Sequence, residues 1–363
     1  MRGPVRTFRS HIHPDYKNLH PIYEWALEGT YLMVDKVVFG GKVGAILCYH
    51  NPPVHQIGTP GLYAYHDGLD RVFELKDELE YFILYGANDP VHTGGDLKES
   101  LTRLKETLAL KKERESAGAS AEDIASLFKW GEERLEKGIV LYEKIRHIAR
   151  AMRVIGVCGG GLRFGGSAEI QLMSDYILGD SRSGMCFSEV MIGIIPGWGG
   201  IARILLKAGF ANAAYMAKTG SVVSATDLKD IGIYNDVAEI PFPLPKREKT
   251  GNPEEDRKRY MEALEDHDRK TGAILLPKGL EMATCQKENI PVRDAADRKI
   301  LASEEDIAGE VARRVTPENY AHLRGKTLGE VKQEMDRLGR PLAPQSIEAL
   351  ERLLQGYDSS RFD

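Results

Sequence analysis

Cysteine is scarce: Cys48, Cys158, Cys186 and Cys285 stand singly in 363 residues, with no CxxC pair. That spacing speaks against a zinc ribbon or a thiol redox motif, and free thiols in the cytoplasm are expected. No apolar run approaches the roughly 20 residues that span a bilayer. The opening stretch, MRGPVRTFRSHIHPDYKNLHP, has no apolar signal-peptide core. A surplus of positive charge is also missing. Lys and Arg number 49 against 54 Asp and Glu, a net charge of -5, so no global field favours nucleic acid or an anionic membrane. No Gly-Lys-Ser/Thr follows a glycine cluster, which excludes a P-loop. The string GGGLRFGG is not GxGxxG, and no paired βαβ unit starts the chain, so a dinucleotide fingerprint fits poorly.

The remaining composition is that of a soluble chain, 42% apolar and 28% charged, long enough for one large α/β core with an appendage. Residues 1–30 are polar, and an N-terminal arm is expected over 1–40, lying on the surface or on a partner subunit. Strands are expected at Lys42–Tyr49, Tyr81–Tyr85, Val154–Val157 and Tyr176–Gly179. Helices are expected over His66–Leu75, across 98–151 with a break near Gly118, from about Ala168, and over Gly199–Ala208 and Ala211–Lys218. This alternation predicts an α/β core over 41–240. Pro241, Pro243 and Pro245 mark a linker. A polar helical region is expected over 241–363, packing on neighbours rather than on a core of its own.

Two glycine-rich turns follow buried strands: Gly86 to Leu97, with Gly94-Gly95, and Gly159 to Glu169, with Gly165-Gly166. The second opens a helix, whose free N–H groups and dipole face whatever sits there. Each turn taken alone is equally compatible with simple tight turning. Two N–H groups converging from two loops would form an oxyanion hole.

Taken together the turns resemble the crotonase (enoyl-CoA hydratase/isomerase) superfamily in order and flanks. Gly86–Leu97 looks like G-x-x-x-x-F-x-x-G-x-D-L, with Val91 for Phe. Gly165–Asp175 looks like G-G-G-x-E-L-x-x-x-C-D, with Ser167 for the third Gly. Gly184–Gly200 looks like F-x-x-P-E-x-x-x-G-x-x-P-G-x-G-G; Ser188 replaces Pro, while Glu189, Gly193, Pro196, Gly197, Gly199 and Gly200 match. Thr219–Tyr234 looks like T-G-x-x-x-S-A-x-D-A-x-x-x-G-L-V.

The resemblance implies a spiral of ββα units, homotrimers or homohexamers, and an acyl-CoA thioester as substrate. CoA would be part of that substrate, with no separate cofactor and no metal. By position, the oxyanion donors are the N–H groups of Gly95 and Gly166, and the two carboxylates are Glu169 and Glu189. Such carboxylates share a water and exchange acid and base roles. Gly94, Gly165 and Lys98 fall where the family binds CoA, although Lys98 reads equally as a solvated lysine. Trp198 walls the acyl pocket or packs in the core. His55 and His92 lie near the CoA-binding turns, and Asp96 and Asp175 are expected to cap or brace. The chain departs from a plain hydratase in the long helical insertion at 98–151 and in its extra terminal regions. The alternatives are a hydratase or isomerase on another acyl chain, or a non-catalytic crotonase-fold protein binding acyl-CoA or RNA. Retention of both glutamates and the negative charge weigh against the latter.

Overall fold

The structure, a computed structural model, describes residues 19–192 and 194–314. It opens with strands β1 (His20–Leu27), β2 (Thr30–Phe39) and β3 (Lys42–His50), joined by two-residue turns. Glu28-Gly29 and Gly40-Gly41 all have positive φ, the backbone that twists antiparallel partners correctly. Helix α1 (Thr59–Glu74) leads to β4 (Tyr81–Gly86) and the short β5 (Val91–His92). The insertion forms α2 (Leu97–Ser116), α3 (Ala121–Ser126) and α4 (Lys129–Ala151). Then come β6 (Arg153–Cys158), β7 (Leu162–Phe164) and α5 (Gly166–Leu172), followed by β8 (Tyr176–Asp180), β9 (Gly184–Cys186), a 3-10 turn at Ser188–Ile192 and α6 (Gly200–Thr219). The chain continues through β10 (Val223–Ser224), α7 (Ala225–Asp230), β11 (Asp236–Ala238), the long α8 (Pro253–Thr284) and α9 (Glu304–Arg314).

Seven strands form the main sheet in the order β1-β2-β3-β4-β6-β8-β11, and four form a small sheet, β10-β9-β7-β5. Main-sheet pairings are parallel from β3 to β11. Three successive ββα units each place one strand in the main sheet and the next in the small one: β4–β5 with α2–α4, β6–β7 with α5, and β8–β9 with α6. The fold is therefore mixed α/β and of the spiral type the sequence led us to expect, with a helical C-terminal region. Parallel strands covered on both faces call for continuous apolar runs, and β4 (YFILYG) is buried along its length apart from Gly86.

One region differs from expectation. Residues 20–39 were expected in an arm, yet they form two antiparallel strands of the main sheet. Met33 and Val34 within them are fully buried. The rest of that expected arm lies outside the described residues, as do residues 315–363. In the C-terminal region α8 covers one face of the main sheet, where Leu275, Leu276 and Leu280 join Tyr31, Ile46, Ile83 and Ile155 in one cluster. Burying each such leucine contributes about 1.5–3 kcal/mol. On the other face, α1 and α4 pack through Leu69, Leu141 and Ile145. A third cluster joins α5, α6 and the small sheet. Helix α6 is broken at Gly209 (φ 80°, ψ 173°), where the sequence predicted two helices. All four cysteines are free, and no helix of the described residues is long and apolar enough to cross a membrane.

Candidate active site

Helix α5 starts directly after β7. Its preceding residue, Gly165, has φ 48° and ψ -127°, a conformation that L side chains avoid. A Cβ there would also stand 2.6 Å from Glu189 Oε1, so the glycine is required twice over. Gly94 has φ 77°, and a Cβ on it would lie 2.6 Å from Phe164 O, 3.0 Å from Gly166 N and 3.2 Å from Ser167 N. The two glycine turns therefore meet at the first residues of α5. Neither Gly95 N–H nor Gly166 N–H has an acceptor among the described residues.

The Gly95 turn is held by a short parallel bridge to Ile57, in which Ile57 N–H donates to Gly94 O at 2.6 Å and Asp96 N–H to Ile57 O at 3.0 Å. The insertion braces this bridge. Arg134 of α4 donates from Nη2 to Ile57 O at 2.9 Å and contacts Glu99 Oε2 at 3.3 Å. Glu99 in turn accepts from Thr59 N–H at 2.8 Å. Asp96 caps α2 by accepting from Glu99 N–H at 3.0 Å. Asp175 braces the start of β6 by accepting from Val154 N–H at 3.0 Å and from Arg146.

Glu169 and Glu189 come from different units, the first turn of α5 and the 3-10 turn after β9. Both are buried. Glu169 Oε1 accepts from the N–H groups of Trp198 and Gly200, each at 2.9 Å. Burial lifts its pKa to about 7, against the pull of those two donors. Glu189 Oε2 has no partner among the described residues. Burial first, and then the neighbouring Glu169 charge, lift Glu189 to about 8. Two carboxyls in electrostatic contact thus have unequal hydrogen-bond support, the condition that separates an acid from a base.

Trp198 does both things the sequence left open. Its ring belongs to the cluster with Leu141 and Ile170. It also lies so close to the start of α5 that a Cβ on Gly166 would be 2.7 Å from the indole. On its other side, a Cβ on Gly138 of α4 would overlap the ring at 1.9 Å. Lys98 is exposed in the first turn of α2.

His55 and His92, expected near the CoA-binding turns, are buried. Their rings are stacked, with centroids 4.7 Å apart. Asn51 N–H donates to His55 Nδ1 at 3.0 Å, so the His55 proton sits on Nε2, 2.6 Å from Asp89 Oδ2. Burial, reinforced by Arg163, pushes His55 down to about 3. Burial also holds Asp89 well above the carboxylate range. Sequence reasoning missed Arg163, whose side chain is among the largest fully buried ones, because nothing in GGGLRFGG signals which face a three-residue strand turns inward.

Residues 116–240 match the enoyl-CoA hydratase/isomerase family model. The mitochondrial enoyl-CoA hydratase of Pongo abelii is 30% identical over 94 residues, 26% of this chain and 32% of that protein. The "Probable enoyl-CoA hydratase" of Rhizobium meliloti (strain 1021) is 29% identical over 91 residues, 25% of this chain and 35% of that protein. The chain thus aligns with about a third of the length of these curated relatives. An enoyl-CoA hydratase structure from Mycobacterium avium subsp. paratuberculosis K-10 superposes with a TM-score of 0.47 at 13% identity, covering 91% of this chain and 97% of that one. Over the matched segment, residues 116–240, the sequence is similar to the enoyl-CoA hydratase/isomerase family. Gly165, Gly166, Glu169, Glu189 and Trp198 lie inside that segment; Gly94, Gly95 and Lys98 lie outside it.

Proposed function

We propose that this chain is an acyl-CoA enzyme of the enoyl-CoA hydratase type. The observation that carries this reading is the pair of buried glutamates, unequally supported, beside two N–H groups free to receive a thioester oxygen. Water adds across a double bond conjugated to the thioester. The carbonyl oxygen gathers charge as an enolate, and Gly95 and Gly166 N–H hold it. Glu169, kept ionised more readily by its two backbone donors, takes a proton from water. Glu189 delivers its proton to the α-carbon. No metal or redox cofactor is needed for this chemistry. We further propose that Lys98 and the Gly94 and Gly165 turns face the CoA part, and that the enzyme is a cytoplasmic trimer or hexamer.

For the acyl group, the chain as a whole resembles 6-oxocyclohex-1-ene-1-carbonyl-CoA hydrolase, the ring-opening enzyme of anaerobic benzoyl-CoA breakdown. After hydration, a second water attacks the ring ketone and the bond between the ketone and the α-carbon breaks. The product is 3-hydroxypimeloyl-CoA, and both steps pass through the same enolate. The alternative is a hydratase or isomerase acting on another enoyl-CoA.

Mass spectrometry of the cyclic substrate turned over in ¹⁸O-labelled water decides between them. The expected product is linear, heavier by two waters, with two labelled oxygens. A product carrying one labelled oxygen with the ring intact rejects ring opening and leaves the hydratase.

A further inference from the structure

Successive residues of a helix point about 100° apart, so Ser167, Ile170 and Gln171 lie on the side of α5 away from Glu169. There they close one wall of a small internal cavity, with His55, His92 and Arg163 among the residues opposite. The cavity holds polar groups in an unusual condition. Arg163 is 1% exposed and His92 4%. Yet Arg163 Nη1 and Nη2 and His92 Nε2 have no partner among the described residues. Buried polar atoms in such a state are costly to leave unpaired, so a cluster of them points to a ligand.

The atom types specify that ligand. Arg163 offers only donors. The His92 ring donates to the Asp89 carbonyl, which leaves Nε2 as a lone pair. Gln171 Oε1 lies elsewhere, 2.8 Å from where a Cβ on Gly156 would stand and beside Ser174 Oγ. A molecule serving Arg163 and His92 must accept from the first and donate to the second; water does so, and the space suits about one or two waters. Ser167 is only half-buried and forms the rim. Its nitrogen and that of Gly166 stand 3.2 and 3.0 Å from the same point beside Gly94. The cavity therefore begins one residue from an oxyanion donor.

We propose that this cavity supplies the second, ring-opening water, with His92 as its base and Arg163 as the cation facing the ring ketone. The inference rests on the ring-opening reading above. In 6-oxocyclohex-1-ene-1-carbonyl-CoA the ketone carbon is bonded to the α-carbon, so a thioester held at Gly95 and Gly166 brings the ketone to the rim. Water oxygen bonds to the ketone carbon, its proton passes to His92 Nε2, and the ketone oxygen becomes an oxyanion opposite Arg163. Collapse restores a C=O and breaks the bond to the α-carbon. That electron pair enters the thioester enolate. The α-carbon then takes the proton from His92, and the new carboxylic acid releases its own to solvent. Burial, strengthened by Arg163, holds His92 well below its ordinary pKa, so the ring rests neutral, and it takes the proton only as the oxyanion forming opposite Arg163 offsets that cation. Two waters would then reach two carbons from opposite sides of one helix.

The test follows product masses over time for wild type and His92→Gln. With His92→Gln, ring opening should fall by about 10²–10⁴-fold relative to hydration, the usual worth of a positioned base, and the singly hydrated ring should accumulate. An unchanged ratio would overturn the second water site. So would an equal loss of both steps, which marks a structural role. A wild type that adds one water only takes down the ring-opening reading itself, and the inference with it, before any variant is made.

Discussion

On one side of α5, Glu169 meets two backbone N–H donors at 2.9 Å each. On the other, His92 and Arg163 carry buried polar atoms that no described residue satisfies. The helix has only seven residues, yet it separates a preorganised acid–base pair from a cavity suited to a hydrogen-bonding guest. Burial is similar on both sides, so burial alone does not define a site. What distinguishes Glu169 from the cavity residues, and from its own partner Glu189, is that the protein completes its hydrogen bonds and leaves theirs for something else.

The strongest way to sharpen this contrast is to remove each glutamate's charge while keeping its shape. Glu169→Gln and Glu189→Gln should each lower hydration of a short enoyl-CoA by about 10²–10⁴-fold, read from the absorbance of the conjugated thioester. In wild type, the rate should rise as Glu169 ionises near pH 7 and fall as Glu189 loses its proton near pH 8, with both limbs belonging to the interacting pair. A flat profile from pH 5 to 9 would break the acid–base assignment.

A smaller effect is expected at the donors. Gly95 has nothing closer to a built Cβ than Arg134 Nη2 at 3.5 Å, whereas Gly166 lies under Trp198. Gly95→Pro therefore removes an N–H with the least disturbance, and kcat should drop by about 10²–10³-fold. A folded Gly95→Pro enzyme at wild-type speed would take the oxyanion hole away from this turn.

Stability gives the smallest effect. Glu189 is held above its unfolded value, so the folded chain keeps a proton that the unfolded chain has already released. Its contribution is fully present below the ordinary Glu pKa of about 4.3 and is lost as the pH climbs through about 8. Glu189→Gln removes that loss. Its melting temperature should draw ahead of wild type between pH 5 and 9, by the equivalent of about 1–3 kcal/mol. Parallel curves would show that Glu189 is not strained by burial.

Much of this was legible because the residues are local in sequence. Continuous apolar runs announced β4, β6 and β8, and the spacing from Gly165 to Glu169 announced the start of α5. The β1–β3 hairpins were missed although Gly40-Gly41, between two apolar segments, is a hairpin signal; the polar residues before them drew attention away. The cavity was illegible for a different reason. His92, Arg163 and Gln171 come from β5, β7 and α5, and their convergence depends on how the two sheets stand to one another. Sequence periodicity cannot say that a three-residue strand turns its arginine inward. Likewise α8 reads as polar because its one buried stripe is diluted over 32 residues.

The helices at 98–151 are more than an accessory to the core. Arg134 ties α4 to Ile57, and Gly138 gives the Trp198 indole its seat. Deleting 98–151 to reach a minimal enzyme would therefore not trim an ornament. It would release the turn bearing Gly95 and unseat the ring over Gly166 together. Shortened designs on this scaffold have to replace both contacts before they can dispense with the helices.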